Sequence, residues 1–314
     1  MRILITGATG FVGGHLVDHL RAVGGHNLFG LGRPGSEARV PGVEHHAAEL
    51  ADTHRLEAIL RAIQPDWLVH LAGYANTGRS FREPGPCWAD NLDGTRSLYS
   101  AIESSGSRPR ILFVSTGLIY GDPLPGAPPF DERAELRPGS PYAASKAAAD
   151  LLSYQQSRHP GLDIVRVRLF NQIGPRQSPD YAVANFARQI AAVEAGRLDR
   201  IETGDLSAER DLTDIRDIVV AFRLLLERGI AGEAYNAGRG RTWSMRDVLH
   251  RLVALANVHV DVVEKPDPNR KADAAVTRVD ARKLVNATSW RPCFELDDTL
   301  RDILDWWRAE ARAI

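Results

Sequence analysis

The sequence predicts an α/β fold: a parallel, doubly wound sheet with a smaller C-terminal α/β lobe. Three observations carry this. Met1–Thr6 is an apolar run of strand length that meets Gly7, Gly10 and Gly13 and continues as a helix, with Val12, Leu16, Val17 and Leu20 at helical spacing. Strand-like and helix-like segments then alternate as far as Leu169, which is the pattern of successive βαβ units. From Phe170 onward the pattern becomes irregular and turn-rich, marking a second unit.

The chain of 314 residues is long enough for one large domain or two ordinary ones. Its formal charge of -1, with no basic run, gives nucleic acid or a membrane surface nothing to bind. No apolar stretch reaches the length of a membrane span, and the N-terminus reads as a strand rather than a signal peptide. Cys87 and Cys293 form neither a metal spacing nor a disulfide framework. The expectation is a cytoplasmic protein with reduced thiols and no metal.

The glycine turn is the most informative stretch. Only glycine lets a backbone turn this tightly and approach a phosphate, and the amides at the new helix N-terminus then face the anion. Gly7-x-x-Gly10-x-x-Gly13, between a strand and a helix, is a dinucleotide fingerprint and makes the sheet a Rossmann sheet. The expected contacts are Gly7, Thr9, Gly10, Phe11, Val12 and Gly13. The second strand, His26–Arg33, ends in Gly32-Arg33-Pro34-Gly35-Ser36, where an NAD site would carry a carboxylate for the ribose hydroxyls. A guanidinium there welcomes a 2′-phosphate, so NADP(H) is favoured, with NAD(H) possible. A third strand, Val43–Glu49, brings Glu49 and Leu50 near the adenine, and a helix follows over Thr53–Ile63. The fourth strand ends in Leu71, Ala72 and Gly73, small enough for a cofactor to lie close. His70 beside them reads as a wall residue. Leu169, closing the sixth strand, completes the expected cofactor contacts.

Tyr74–Pro86 is loop-like, and a long helix runs from near Trp88 past Asn91 to Ser104. The fifth strand, Arg110–Thr116, delivers the hydroxyls of Ser115 and Thr116. The Pro-rich loop Gly121–Pro138 faces substrate. Ser140 and Pro141 suit a helix start, and the helix to Arg158 puts Tyr142 and Lys146 on one face. A free phenol titrates at about 10. A nearby ammonium and an oxidised nicotinamide would both lower that value. The phenol could then give a proton to a carbonyl oxygen as hydride arrives, while the strand hydroxyl holds that oxygen.

The second half predicts helices over Tyr181–Ala195, Ile215–Arg228, Ser244–Ala256 and Thr299–Ala311. A strand at Ala234–Ala237 returns to the sheet, and Val258–Val263 alternates like another. The expected division is 1–169 with about 214–240 for the dinucleotide, and about 170–213 with 241–314 for the lobe.

These residues resemble the extended short-chain dehydrogenase/reductase family. The resemblance is carried by the glycine fingerprint, Leu71-Ala72-Gly73, Asn91, Ser115-Thr116, Tyr142-x-x-x-Lys146 and Asn171. It implies a Rossmann domain binding NAD(P), a C-terminal lobe binding a nucleotide-activated sugar, and a Ser/Thr-Tyr-Lys catalytic set. It also implies a homodimer formed through the helices carrying Asn91 and Tyr142–Lys146. Phe170–Asp180, Gly204-Asp205-Leu206, Glu209-Arg210-Asp211, Asp214–Asp217, Arg270 and Asp273 are similar to the GDP-mannose dehydratase and GDP-4-keto-6-deoxy-mannose reductase branch. By that resemblance Asn171, Arg210 and Arg270 hold the diphosphate and nucleoside; Arg176 and Gln189 join the expected substrate contacts. Dehydratases of this branch carry a glutamate two residues after the threonine, and it takes the C5 proton. Leu118 stands there and cannot. Nor do Gly117 and Leu118 offer the cysteine of the epimerase/reductases. The expectation is reduction at C4 of a GDP-4-keto-6-deoxy sugar. The alternatives are an epimerase with tightly held NAD, a dehydratase, which Leu118 disfavours, and a non-catalytic NADP-binding sensor.

Overall fold

The computed structural model describes residues 1–36, 39–124, 126–266 and 276–313. Strand β1 (Arg2–Thr6) runs into the glycine turn and helix α1 (Phe11–Val23), and is followed by β2 (Asn27–Gly32), β3 (Glu44–Ala47), α2 (Thr53–Ile63) and β4 (Trp67–His70). Next come the short helices α3 (Thr77–Ser80) and α4 (Pro84–Trp88), α5 (Gly94–Ser105), β5 (Arg110–Thr116), α6 (Pro141–Arg158) and β6 (Ile164–Leu169). The lobe begins with β7 (Gln172–Ile173), α7 (Ala182–Glu194), β8 (Arg200–Thr203), β9 (Glu209–Asp211) and β10 (Thr213–Asp214). Helix α8 (Ile215–Arg228) and β11 (Ala234–Ala237) then return to the sheet. The chain ends with β12 (Thr242–Ser244), α9 (Met245–Ala254), β13 (Asp261–Glu264), β14 (Val276–Thr277), α10 (Arg282–Thr288) and α11 (Leu296–Ala313).

The main sheet has the order β11-β6-β5-β4-β1-β2-β3, and every adjacent pair is parallel. The order reverses at β1, so the crevice between the carboxyl ends of β1 and β4 is the topological switch point where ligands of such sheets bind. Both faces are covered, which is why Leu4, Leu68, Val69, Leu112 and Val165 are buried without alternation. On one face Leu16, Val17, Leu20, Phe222 and Leu225 pack onto the sheet, and on the other Leu56, Leu60, Leu98, Ile102 and Ala149 do. A separate core of Phe186, Ile190, Ile201, Leu249, Leu300 and Leu304 holds the lobe. Leu284 of α10 and Trp290, from the stretch assigned to the lobe by sequence, lie in the core under the sheet instead.

The expected continuous helix from Trp88 to Ser104 is interrupted. Ala89–Asp93 forms a π turn between α4 and α5, and such single wide turns concentrate at functional sites.

Candidate active site

The glycine turn fits a bound dinucleotide. Gly7 has φ +73°, and a Cβ on Gly13 would lie 2.2 Å from the Gly7 carbonyl oxygen, so neither position admits a side chain. Gly10 precedes α1 with no side-chain cap, and the first turn carries no acidic residue. Its amides therefore face outward for an anion. Thr9 and Gly10 are exposed on this turn, Phe11 and Val12 half-buried.

A cleft of about 130 Å³ gathers Val12, Leu71, Gly73, Ser115, Thr116, Tyr142, Lys146 and Leu169. Ala72 completes the same loop, with its backbone against Gly7. Tyr74, Ala75 and Gln172 also line the cleft; a loop with no periodicity gave no sign of them in the sequence. A larger hollow of about 790 Å³, between Phe130, Gly238 and Arg282, contains none of these groups. The chemistry belongs to the smaller cleft, where hydroxyl, phenol and amine converge.

Helix α6 starts as its sequence dictates: Ser140 accepts from the Ala143 amide and Pro141 occupies the first turn. This sets Tyr142 at the cleft. Burial pushes its phenol well above the usual range, followed by the nearby Tyr181, while a hydrogen bond with Thr116 opposes the rise. Thr116 Oγ1 also accepts from the Leu118 amide at 3.2 Å. Thr116 is thus the hydroxyl that meets the phenol. Ser115 Oγ is buried and has no partner among the described residues.

Lys146 Nζ donates to the Val114 carbonyl at 2.6 Å and lies 4.8 Å from the centre of the Phe113 ring. Burial lowers its amine to about 8, with Asp150 and Cys87 opposing. Burial thus raises the phenol, and the lowering expected of a neighbouring ammonium does not outweigh it.

Arg33 directly follows β2, which ends one residue earlier than expected; it is 65% exposed, and its guanidinium is 2.5 Å from Asp90 and 3.9 Å from Glu49. Leu50 is half-buried and packs beside the β2–α2 core. The remaining expected residues are spread more widely. Asn171 is exposed, and its carbonyl accepts from Thr213. Arg210 lies on β9 and donates to the Glu209 carbonyl at 2.9 Å. Arg176 is turned toward α1, 2.8 Å from Asp18. Gln189 is buried and uses both ends of its amide on the Glu202 backbone, at 3.0 and 2.9 Å. Those bonds tie α7 to β8. Arg270 and Asp273 lie outside the described residues. Among the described residues no group of three potential ligands could hold a metal, and no helix is long and apolar enough to cross a membrane.

A glycine cradle at the switch point, with a Thr-Tyr-Lys set on the neighbouring strand and helix, defines an extended short-chain dehydrogenase/reductase. The family profile described as GDP-mannose 4,6 dehydratase matches residues 4–303. A GDP-6-deoxy-D-mannose reductase of Pseudomonas aeruginosa is 33% identical over 312 residues, covering 99% of this chain and 98% of the relative. A UDP-glucose 4-epimerase of Mycolicibacterium smegmatis is 31% identical over 324 residues, covering 99% and 100%. The structure of RMD from Pseudomonas aeruginosa complexed with NADPH superposes with a TM-score of 0.87 at 32% identity, covering 98% of this chain and 99% of that one. The chain belongs to the GDP-mannose 4,6 dehydratase family and is an NAD(P)-dependent oxidoreductase of the extended type.

Proposed function

We propose that the chain reduces C4 of a nucleotide-activated 4-keto-6-deoxy sugar, GDP-4-keto-6-deoxy-D-mannose, with NADPH. The observation that carries this is Leu118, whose amide bonds the Thr116 hydroxyl and whose side chain stands where a dehydratase would carry its base. Burial favours the neutral phenol, the form that can deliver a proton to the C4 oxygen. Leu118, 40% exposed beside the catalytic strand, offers no base for removal of the C5 proton. The similarity to a GDP-6-deoxy-D-mannose reductase and to an NADPH complex supports the same reading.

When bound, the nicotinamide supplies the hydride. Residues 1–169 with about 214–240 hold the cofactor: the α1 amides take the pyrophosphate, Leu71–Gly73 form the floor, and Arg33 takes the 2′-phosphate. Tyr142 gives its proton to the C4 oxygen, and Thr116 holds both phenol and oxygen. Lys146, fixed by Val114, keeps a positive charge behind the site. About 170–213 with 241–314 hold the sugar nucleotide, with Asn171, Arg210 and Arg270 toward the diphosphate. A homodimer through α5 and α6 belongs to this reading, since Leu151 and Tyr154 of α6 remain 56% and 46% exposed.

The test is incubation of the pure chain with NADPH and GDP-4-keto-6-deoxy-D-mannose, following absorbance at about 340 nm, where reduced nicotinamide absorbs. Stoichiometric loss of NADPH with a 6-deoxy sugar nucleotide as product supports the proposal. Interconversion of C4 epimers without NADPH loss would show an epimerase. Turnover untouched by Tyr142→Phe would remove the phenol from the chemistry.

A further inference from the structure

His70 closes β4 between two threonines, 2% exposed. Its Nδ1 lies 2.8 Å from Thr6 Oγ1 and its Nε2 3.0 Å from Thr95 Oγ1. The Thr6 oxygen already accepts from the amides of Leu71 and Ala72, at 3.1 and 3.0 Å. A hydroxyl accepting twice has only its own proton left to offer, so Thr6 donates to Nδ1. Nδ1 is then bare, and the neutral ring carries its proton on Nε2, which donates to Thr95. Thr95 donates in turn to the Asn91 carbonyl at 2.6 Å. Burial, then the Lys146 charge, push the ring down to about 3, so it stays neutral.

The second arm passes through the π turn. Asn91 Oδ1 accepts from the Tyr74 amide at 2.9 Å, and its Nδ2 donates to the Tyr74 carbonyl at 3.2 Å and to Ser145 Oγ at 2.9 Å. Gly73 packs so closely on this side chain that a Cβ would sit 2.5 Å from Asn91 Oδ1. Both arms from His70 thus end on one loop. Thr6 holds Leu71 and Ala72; Thr95 bonds the Asn91 carbonyl, and the Asn91 side chain holds Tyr74 and lies against Gly73.

We infer that His70 is a positioning residue that locks the Leu71–Tyr74 loop from both ends, presetting the floor of the dinucleotide site. The inference rests on that loop's assignment to the cofactor. A residue that only filled the wall would need volume alone. This ring has one tautomer, and every proton in its chain has a defined recipient.

The test combines amide hydrogen exchange of the ligand-free chain with NADPH binding followed by fluorescence, for wild type, His70→Phe, His70→Asn and Thr95→Val. Phenylalanine keeps a ring and removes both arms. Asparagine returns an acceptor near the Nδ1 position, and Thr95→Val cuts only the far arm. Exchange at residues 71–74 is expected to rise about thirtyfold in His70→Phe and about fivefold in the single-arm variants, each lost bond being worth about 1 kcal/mol. The NADPH dissociation constant should rise in the same order. Wild-type exchange and binding in folded His70→Phe would overturn the inference. Should that variant not fold, unchanged exchange in Thr95→Val would overturn it instead. A wild-type chain binding neither NADPH nor NADH would end the cofactor assignment itself, a failure distinct from unchanged exchange.

Discussion

The Lys146 ammonium sits 2.6 Å from the Val114 carbonyl oxygen, so the amine is fixed to the strand that also carries Thr116. Burial brings it down to about 8, whereas a lysine of the unfolded chain keeps its proton to about 10.5. Between those values the unfolded state binds more protons, so this group makes stability rise with pH there and costs stability below pH 8. Lys146→Met is therefore expected to be more stable than wild type at pH 7, by about 1–3 kcal/mol, with the difference vanishing above pH 10. Urea midpoints across that range measure it. Turnover of the variant should fall at least about a hundredfold, and wild-type kcat/KM should decline as pH rises through 8, where the charge is lost.

Arg33 and Asp90 compete for the role at the end of β2. The guanidinium is exposed and paired with Asp90, so a 2′-phosphate must share it with a carboxylate. Arg33→Ala is expected to weaken NADPH about tenfold while leaving NADH within twofold. Asp90→Asn, which frees the fork, should move the NADPH/NADH ratio in the opposite direction. Titration of each variant with both nucleotides decides this, and equal losses of both after Arg33→Ala would dismiss the phosphate contact.

The sheet was legible in the sequence wherever periodicity ran long. The ranges Thr53–Ile63, Arg110–Thr116, Ile215–Arg228 and Ala234–Ala237 coincide with the expected elements. Strands as short as β9 and β12, three residues each, carry too few side chains for a period to show. The π turn at Ala89–Asp93 was hidden because one wide turn leaves the apolar spacing on either side intact. Gly7, Thr116, Tyr142 and Lys146 meet at the crevice because fold topology places them there. Which way a long side chain turns is a matter of rotamer and partner. Sequence showed neither that Lys146 reaches Val114 nor that Gln189 and Arg176 turn away to Glu202 and Asp18.

Gln189 offers a test of that distinction. Both polar ends of its amide bond the Glu202 backbone inside the lobe. Gln189→Ala removes both bonds to the part-buried Glu202 backbone, so it should destabilise by about 1–2 kcal/mol. The KM for the sugar nucleotide should stay within about twofold if the amide serves the lobe's packing rather than the ligand. Chemical denaturation and steady-state kinetics on one preparation separate the two effects. A large KM rise with unchanged stability would return Gln189 to the binding site.

Ser115 and Thr116 are neighbours with opposite circumstances. Thr116 meets the phenol and the Leu118 amide, whereas Ser115 Oγ is buried with no partner among the described residues. A buried hydroxyl without a hydrogen bond costs stability. Ser115→Ala should therefore leave the ligand-free chain as stable as wild type or up to about 1 kcal/mol more stable. If the hydroxyl takes its bond from a ligand, the same variant should gain less stabilisation from saturating NADPH or substrate than wild type does. Thr116→Val should instead lower kcat about a hundredfold with little change in cofactor affinity, since it removes the group that aligns phenol and substrate oxygen. Thermal unfolding with and without each ligand, beside kcat for both variants, distinguishes the roles. Equal kcat losses from both substitutions would mean that the two hydroxyls act as one unit.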